Sequence, residues 1–149
     1  MKCTAIVLAA GQGKRMNSKV QKQFLHIREY PVLYYALKCF QDCLWMDDII
    51  LVTGETEIDY CKQNIVEEYG FSKVSAVIAG GKERYHSVYN GLLQCKGTDY
   101  VFIHDGARPF VTEEILVRGL ACVKDSDACA AGMPSKDTVK IVNEEHMVQ

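Results

Sequence analysis

The sequence predicts an α/β fold: a three-layer, Rossmann-like, mainly parallel sheet with helices on both faces. Short apolar runs bounded by turn residues recur at 4–8, 49–53, 74–79, 100–104 and 128–133, with the length and composition of buried strands. Between them, residues 32–44, 58–69, 87–95 and 113–124 carry apolar side chains at three and four spacing, as helices do. Strand and helix alternate with no internal repeat and no linker rich in Pro, Gly or Ser, so parallel strands joined by right-handed crossovers are expected.

The run 4–8 is the first strand and leads into a glycine-rich loop. Pro31 opens the first helix, where its missing N–H costs nothing. Strand 49–53 is followed by helix 58–69, and Gly70 stands where a left-handed closing residue is expected. Strand 74–79 ends in Gly80-Gly81 before helix 87–95, and strand 100–104 ends in an aspartate–glycine turn before helix 113–124. Strand 128–133 closes the alternation. Beyond it, 139–142 is a further short strand and 143–146 a polar turn, and 147–149 starts an element that does not finish, so the chain is expected to be truncated.

A chain of 149 residues can bury roughly 68–70% of its unfolded surface, enough for one solid core. With 17 basic and 19 acidic residues interspersed, the net charge of −2 provides no broad positive field for a long nucleic acid, though a local basic cluster could hold a small anion. No apolar run approaches the roughly 20 residues that span a bilayer, and no signal peptide is read at the N-terminus. The seven cysteines are an odd number scattered over predicted strands and helices, which suits reduced thiols and a cytoplasmic location. Cys39 and Cys43 share a helix face, but no C-x-x-C pair or suitably spaced histidine completes a zinc site, so the cysteines are expected to pack as small hydrophobes.

Sites in such sheets form beyond the carboxyl ends of the strands, and each motif below stands at one of those ends. The first is Leu8-Ala9-Ala10-Gly11-Gln12-Gly13-Lys14-Arg15-Met16. Gly11 and Gly13 let backbone N–H groups close on an anion, and Lys14 and Arg15 add charge, a combination suited to a triphosphate. A dinucleotide fingerprint would need a third glycine where Met16 stands, and a Walker A loop would need Ser or Thr where Arg15 follows Lys14. Lys19 and Lys22 follow; Lys22, in Lys22-Gln23-Phe24-Leu25, stands just ahead of a short apolar anchor and could reach back over the loop. The alternative is a surface turn with solvated charges.

At Gly80-Gly81-Lys82-Glu83-Arg84-Tyr85-His86-Ser87, backbone groups freed at the glycines and the helix N-terminus can read a base or ribose, with Ser87 adding a hydroxyl. Alternatively, Ser87 simply serves the start of its helix. In His104-Asp105-Gly106-Ala107-Arg108-Pro109, Asp105 can hold Mg²⁺ on substrate phosphates. The alternative there is an Asp105–Arg108 ion pair, and His104 is read as a packed or orienting residue. Finally, 134–140 could present Thr138 and Lys140 to a second, acidic substrate, or be an ordinary loop.

Together and in this order, these segments resemble the 2-C-methyl-D-erythritol 4-phosphate cytidylyltransferases of the non-mevalonate isoprenoid pathway, and more loosely the wider nucleotidyltransferase group. The resemblance covers the whole chain and is most specific for L-A-A-G-x-G-x-R-M combined with H-D-G-A-R-P. It implies a nucleotidyltransferase-type fold, with 1–149 as a CTP-binding domain truncated near the start of a dimerisation arm. The implied reaction is cytidylyl transfer from CTP to 2-C-methyl-D-erythritol 4-phosphate, with Mg²⁺ as cofactor and a homodimer as the full-length assembly.

By position, the resemblance makes Arg15 and Lys22 the stabilisers of charge on the α-phosphate. Ala9, Ala10, Gly11, Gly81 and Ser87 take cytidine-recognising positions, and Gly13, Ala107 and Arg108 join the nucleotide site. Asp105 takes the nucleotide- and metal-associated position, and Thr138 lies near the second substrate. Ribitol 5-phosphate cytidylyltransferases, an alternative with other sugar-phosphate nucleotidyltransferases, tend to show L-A-G-G and H-D-[AS]-V-R-P where this chain has Ala10 and Ala107. A second alternative is a fragment that binds nucleotide without turnover. Two departures stand out: Gln21 occupies the place of the family's usual proline before its catalytic lysine, and the family continues well past residue 149.

Overall fold

The structure, a computed structural model, describes residues 1–11 and 20–148. The chain divides into two compact units, Met1–Leu116 and Val117–Gln149.

The first unit is built on four parallel strands, β1 (Cys3–Ala9), β4 (Asp48–Thr53), β5 (Val74–Ala79) and β6 (Tyr100–Asp105), in the order β5-β4-β1-β6. Residues Ala5 to Val7 and Ile49 to Val52 are fully buried, so these central strands read as continuous apolar runs rather than alternating ones. Successive strand side chains point to opposite faces. On one face, helix α3 (Arg84–Leu92) comes so close to β1 that a Cβ on Gly91 would lie 2.6 Å from Ile6 Cγ2. On the other, a Cβ on Gly106 would meet Leu33 Cδ1 of helix α1 (Val32–Asp42) at 2.8 Å and Val7 Cγ1 at 3.4 Å. Helices therefore cover both faces, as expected.

α1 turns Val32, Leu33, Ala36, Leu37 and Phe40 inward at helical spacing and ends at Asp42, two residues before the expected end, leaving Leu44 in solvent. Pro31 precedes it in extended geometry, paired across a short hairpin of β2 (His26–Ile27) and β3 (Tyr30–Pro31) that the apolar pattern did not reveal. The expected helix 58–69 begins as α2 (Ile58–Cys61) and continues with π winding over Lys62–Glu67. Gly70 follows at φ +67°, the predicted left-handed close. α3 starts three residues earlier than expected because Glu83 and His86 form a capping box, which puts the polar Arg84 inside the helix.

α4 (Glu113–Asp125) carries the chain from the first unit into the second. The strand expected at 128–133 is not formed. A strand needs a neighbour for its backbone groups, and Ala130, Ala131 and Gly132 have little intrinsic preference for the extended state. Of the expected strand 139–142, only an isolated antiparallel bridge between Val142 and Val148 appears.

All seven cysteines are free thiols; Cys3, Cys43 and Cys61 are buried, whereas Cys122 and Cys129 are exposed, against the expectation of uniform burial. Among the described residues, no cluster of three His, Cys, Asp or Glu could hold a metal, and no helix is long and apolar enough to cross a membrane.

Candidate nucleotide site at the strand ends

Because the four strands are parallel, their carboxyl ends at Ala9, Thr53, Ala79 and Asp105 lie on one side of the sheet. Strand order reverses at β1, which has β4 on one flank and β6 on the other, so the crevice beyond Ala9 and Asp105 is the topological switch point. Leu8 is in register with Asp105, and the Gly106 N–H donates to the Leu8 carbonyl at 2.7 Å, fixing the start of the Asp105–Arg108 turn against β1.

The turn after β5 closes on the same crevice. The Gly80 N–H donates to the Thr53 carbonyl at 2.7 Å, and a Cβ on Gly80 would lie 2.6 Å from Ala10 Cβ and 2.7 Å from Ser87 Oγ. Only glycine permits this approach, which sets the Gly80-Gly81 turn directly against the first loop. Ser87 is buried, and its hydroxyl accepts from the Gly81 N–H at 3.0 Å. It does not cap its helix; Glu83 does. Asn90 Nδ2 donates to the Ala79 carbonyl at 3.1 Å and steadies the strand end from one turn deeper in α3.

Asp105 lies between two arginines. Its Oδ1 accepts from Arg84 Nε at 3.1 Å and Nη2 at 3.0 Å, and its Oδ2 accepts from Arg108 Nε at 3.0 Å. The ion-pair alternative is thus present, with Arg84 as a second partner that sequence reading missed. Burial pushes the carboxyl's pKa up, but the Arg84 and Arg108 guanidinium groups outweigh it and hold it below the usual range. A carboxylate offers about four lone-pair sites, and three here take guanidinium N–H groups. One lone-pair site, on Oδ2, therefore remains open to a further ligand. Behind it, His104 packs on Phe40 with ring centroids 5.6 Å apart and pairs its Nε2 with the Arg108 carbonyl at 2.9 Å, the orienting role expected of it. Burial lowers the His104 pKa, favouring the neutral ring, against the opposing pull of the Arg108 carbonyl and Asp105.

Lys22 opens a 3-10 turn, Lys22–Phe24, and is exposed. Phe24 anchors that turn edge-on to Tyr60, 5.2 Å between centroids. Gln23, 3% exposed, points inward, and the two N–H groups of its Nε2 are shared among the Ala9 carbonyl at 2.5 Å, Gln21 Oε1 at 2.5 Å and the Gly11 carbonyl at 3.2 Å. Gln21 in turn donates to Glu57 Oε1 at 2.9 Å. Its φ of −66° is the angle a proline would impose, so the departure at Gln21 leaves the local backbone where a proline would hold it.

The structure therefore brings together Ala9, Ala10, Gly11, Lys22, Gly81, Ser87 and Asp105 with Ala107 and Arg108 along one edge of the sheet. Gly13 and Arg15 lie outside the described residues, and Thr138 belongs to the second unit, in a segment without regular secondary structure.

Compared with family models, residues 3–149 match the 2-C-methyl-D-erythritol 4-phosphate cytidylyltransferase family, IspD. The chain belongs to the IspD family. An IspD relative from Lachnoclostridium phytofermentans is 50% identical over 147 residues, which are 99% of this chain and 63% of the relative. One from Clostridium kluyveri is 48% identical over 141 residues, 95% of this chain and 61% of the relative. The crystal structure of 4-diphosphocytidyl-2C-methyl-D-erythritol synthase from Anaerococcus prevotii superposes with a TM-score of 0.84 at 28% identity, covering 99% of this chain and 61% of that one. The bifunctional IspDF of Campylobacter jejuni gives 0.69 at 28% identity, over 84% of this chain and 31% of that one. This chain thus spans a little under two thirds of the length of the curated IspD relatives it matches.

Proposed function

We propose that this chain provides the CTP-binding part of an enzyme that transfers cytidylyl from CTP to 2-C-methyl-D-erythritol 4-phosphate, giving 4-diphosphocytidyl-2-C-methyl-D-erythritol and pyrophosphate. The observation that carries the reading is the convergence of the Ala9–Gly11, Gly80-Gly81 and Asp105–Arg108 turns on the switch-point crevice of an IspD-family sheet.

In the reaction, a phosphate oxygen of the acceptor attacks the α-phosphorus of CTP as the bond to the bridging oxygen of the β-phosphate breaks, and pyrophosphate leaves with that electron pair. A phosphate monoester is already a nucleophile, so no covalent enzyme intermediate is required. The protein's work is to align two anions and offset their repulsion. Arg15 and Lys22 would neutralise charge on the α-phosphate, and the peptide groups of Ala9 to Gly13 would hold the nucleotide beside them. Gly81 and Ser87 would recognise cytidine, Ala107 and Arg108 would complete the nucleotide site, and Thr138 would contact the acceptor. Mg²⁺, held chiefly by the triphosphate with one bond from Asp105, would supply further charge neutralisation. The reading includes a cytoplasmic location and, for an assembly with the family's full length, a homodimer.

Arg15→Ala and Lys22→Ala should each lower turnover by orders of magnitude in a protein of full family length while leaving the fold intact; near-unchanged rates for both would refute their roles. Pyrophosphate release measured against a panel of nucleotides and acceptors tests the substrate pair, with ribitol 5-phosphate as the acceptor that would redirect the reading. A second reading, nucleotide binding without turnover, is favoured for this chain alone by its coverage of under two thirds of its relatives. Binding of CTP without pyrophosphate release would select it.

A further inference from the structure

We propose that Gln23 is a positioning residue that sets the first nucleotide loop and the Lys22 turn as one unit. The inference rests on the CTP-binding reading above and assigns a residue that reading does not use. A buried amide is costly unless its hydrogen bonds are made, and Gln23 makes them to the backbone of the loop itself, at Ala9 and Gly11.

The consequence of each bond is directional. In a trans peptide the C=O and the following N–H point in opposite directions, so pinning the Ala9 carbonyl toward Gln23 turns the Ala10 N–H to the other side. Ala10 is the residue whose Cβ a side chain at Gly80 would strike, so the orientation of this peptide also sets the contact between the first and second loops. In a 3-10 turn successive side chains lie about 120° apart. With Gln23 turned inward onto the loop, its neighbour Lys22 is turned out to the surface. Gln21 accepts from the same amide and donates to Glu57, tying the assembly to the turn after β4. One buried side chain thus fixes the peptides that would face the nucleotide and the base of the lysine that would face its phosphates.

The test is a double-mutant cycle on CTP·Mg²⁺ affinity, measured by calorimetry on the unmodified chain, Lys22→Ala, Gln23→Leu and the double variant, with circular dichroism melts on all four. Each single variant should bind about tenfold more weakly, and the double variant should lose about thirtyfold rather than the hundredfold product of the two losses, because Gln23 acts partly through Lys22. A purely structural role would lower the melting temperature without that coupling. Should Gln23→Leu fail to fold, Gln23→Glu replaces it, keeping the shape while exchanging the donor NH₂ for an oxygen. Losses that simply multiply, or an unchanged affinity in either single variant, overturn the proposal while leaving the CTP-binding reading in place. An unmodified chain that does not bind CTP·Mg²⁺ overturns both.

Discussion

Asp105 is paired with two arginines and is also the residue proposed to meet the nucleotide and its metal. Two guanidinium groups hold it ionised, yet Arg84 and Arg108 remain largely exposed, at 61% and 76% of their side chains. Such pairs contribute on the order of 0–1 kcal/mol to stability. Asp105→Asn should therefore leave the melting temperature nearly unchanged while weakening CTP·Mg²⁺ binding, and a drop in melting temperature without any change in binding would reverse that assignment. Gly80 is the opposite case. A methyl group there would sit 2.6 Å from Ala10 Cβ, and both atoms belong to short-tethered groups that cannot swing aside. Gly80→Ala should cost about 1–3 kcal/mol in urea unfolding and spread the two loops.

The thiols make a further residue-level prediction. Burial pushes Cys39 up to about 11, and burial likewise raises Cys3, Cys43 and Cys61, so little thiolate is present in any of them at neutral pH. Mass spectrometry after brief alkylation of the native chain at pH 7 should find these four unmodified, and rapid labelling of them would show that the core opens.

At the scale of elements, hydrophobic pattern was informative where burial dominates and silent where hydrogen bonds decide. Residues 74–79 were legible as Val74–Ala79, and β1, β4 and β6 differ from expectation only by a residue or two at their ends; the central β1 and β4 are buried and apolar almost throughout, whereas the edge strands β5 and β6 are only partly buried and were marked by their short apolar runs between turn residues. The start of α3 was not legible in the same way. Its cap is Glu83 with His86 at the third helical position, in place of the commoner Ser or Thr followed by Glu or Gln, while Ser87, a commoner capping residue type, lies inside the helix. Removing that cap with Glu83→Ala should cost about 1 kcal/mol, a fall of roughly 2–4 °C in melting temperature. Residues 128–133 show the converse error: an apolar run has the composition of a strand, but small residues lacking a partner strand do not adopt one. The candidate site divides likewise. Loop chemistry singled out Gly80, Gly81, Lys22 and Asp105, which the structure places at the strand ends, whereas Gln23 and Arg84 stand out through what they touch, at separations of 14 and 21 residues that no local pattern encodes.

At the scale of the whole molecule, the order β5-β4-β1-β6 does most to locate function. It places the reversal of strand order between β1 and β6, so the two most specific motifs, the loop after Ala9 and the turn after Asp105, face one another across a crevice rather than lying at unrelated edges. The residues proposed to face CTP all belong to the unit Met1–Leu116, while Thr138, proposed to contact the acceptor, lies outside it. CTP recognition should accordingly survive in these 149 residues independently of acceptor chemistry. The most direct test is a calorimetric titration of the chain with CTP, ATP, GTP and UTP in the presence of Mg²⁺. One molar equivalent of CTP should bind, and more tightly than the other three; no binding, or equal binding of all four, would contradict the assignment of the crevice as a CTP site.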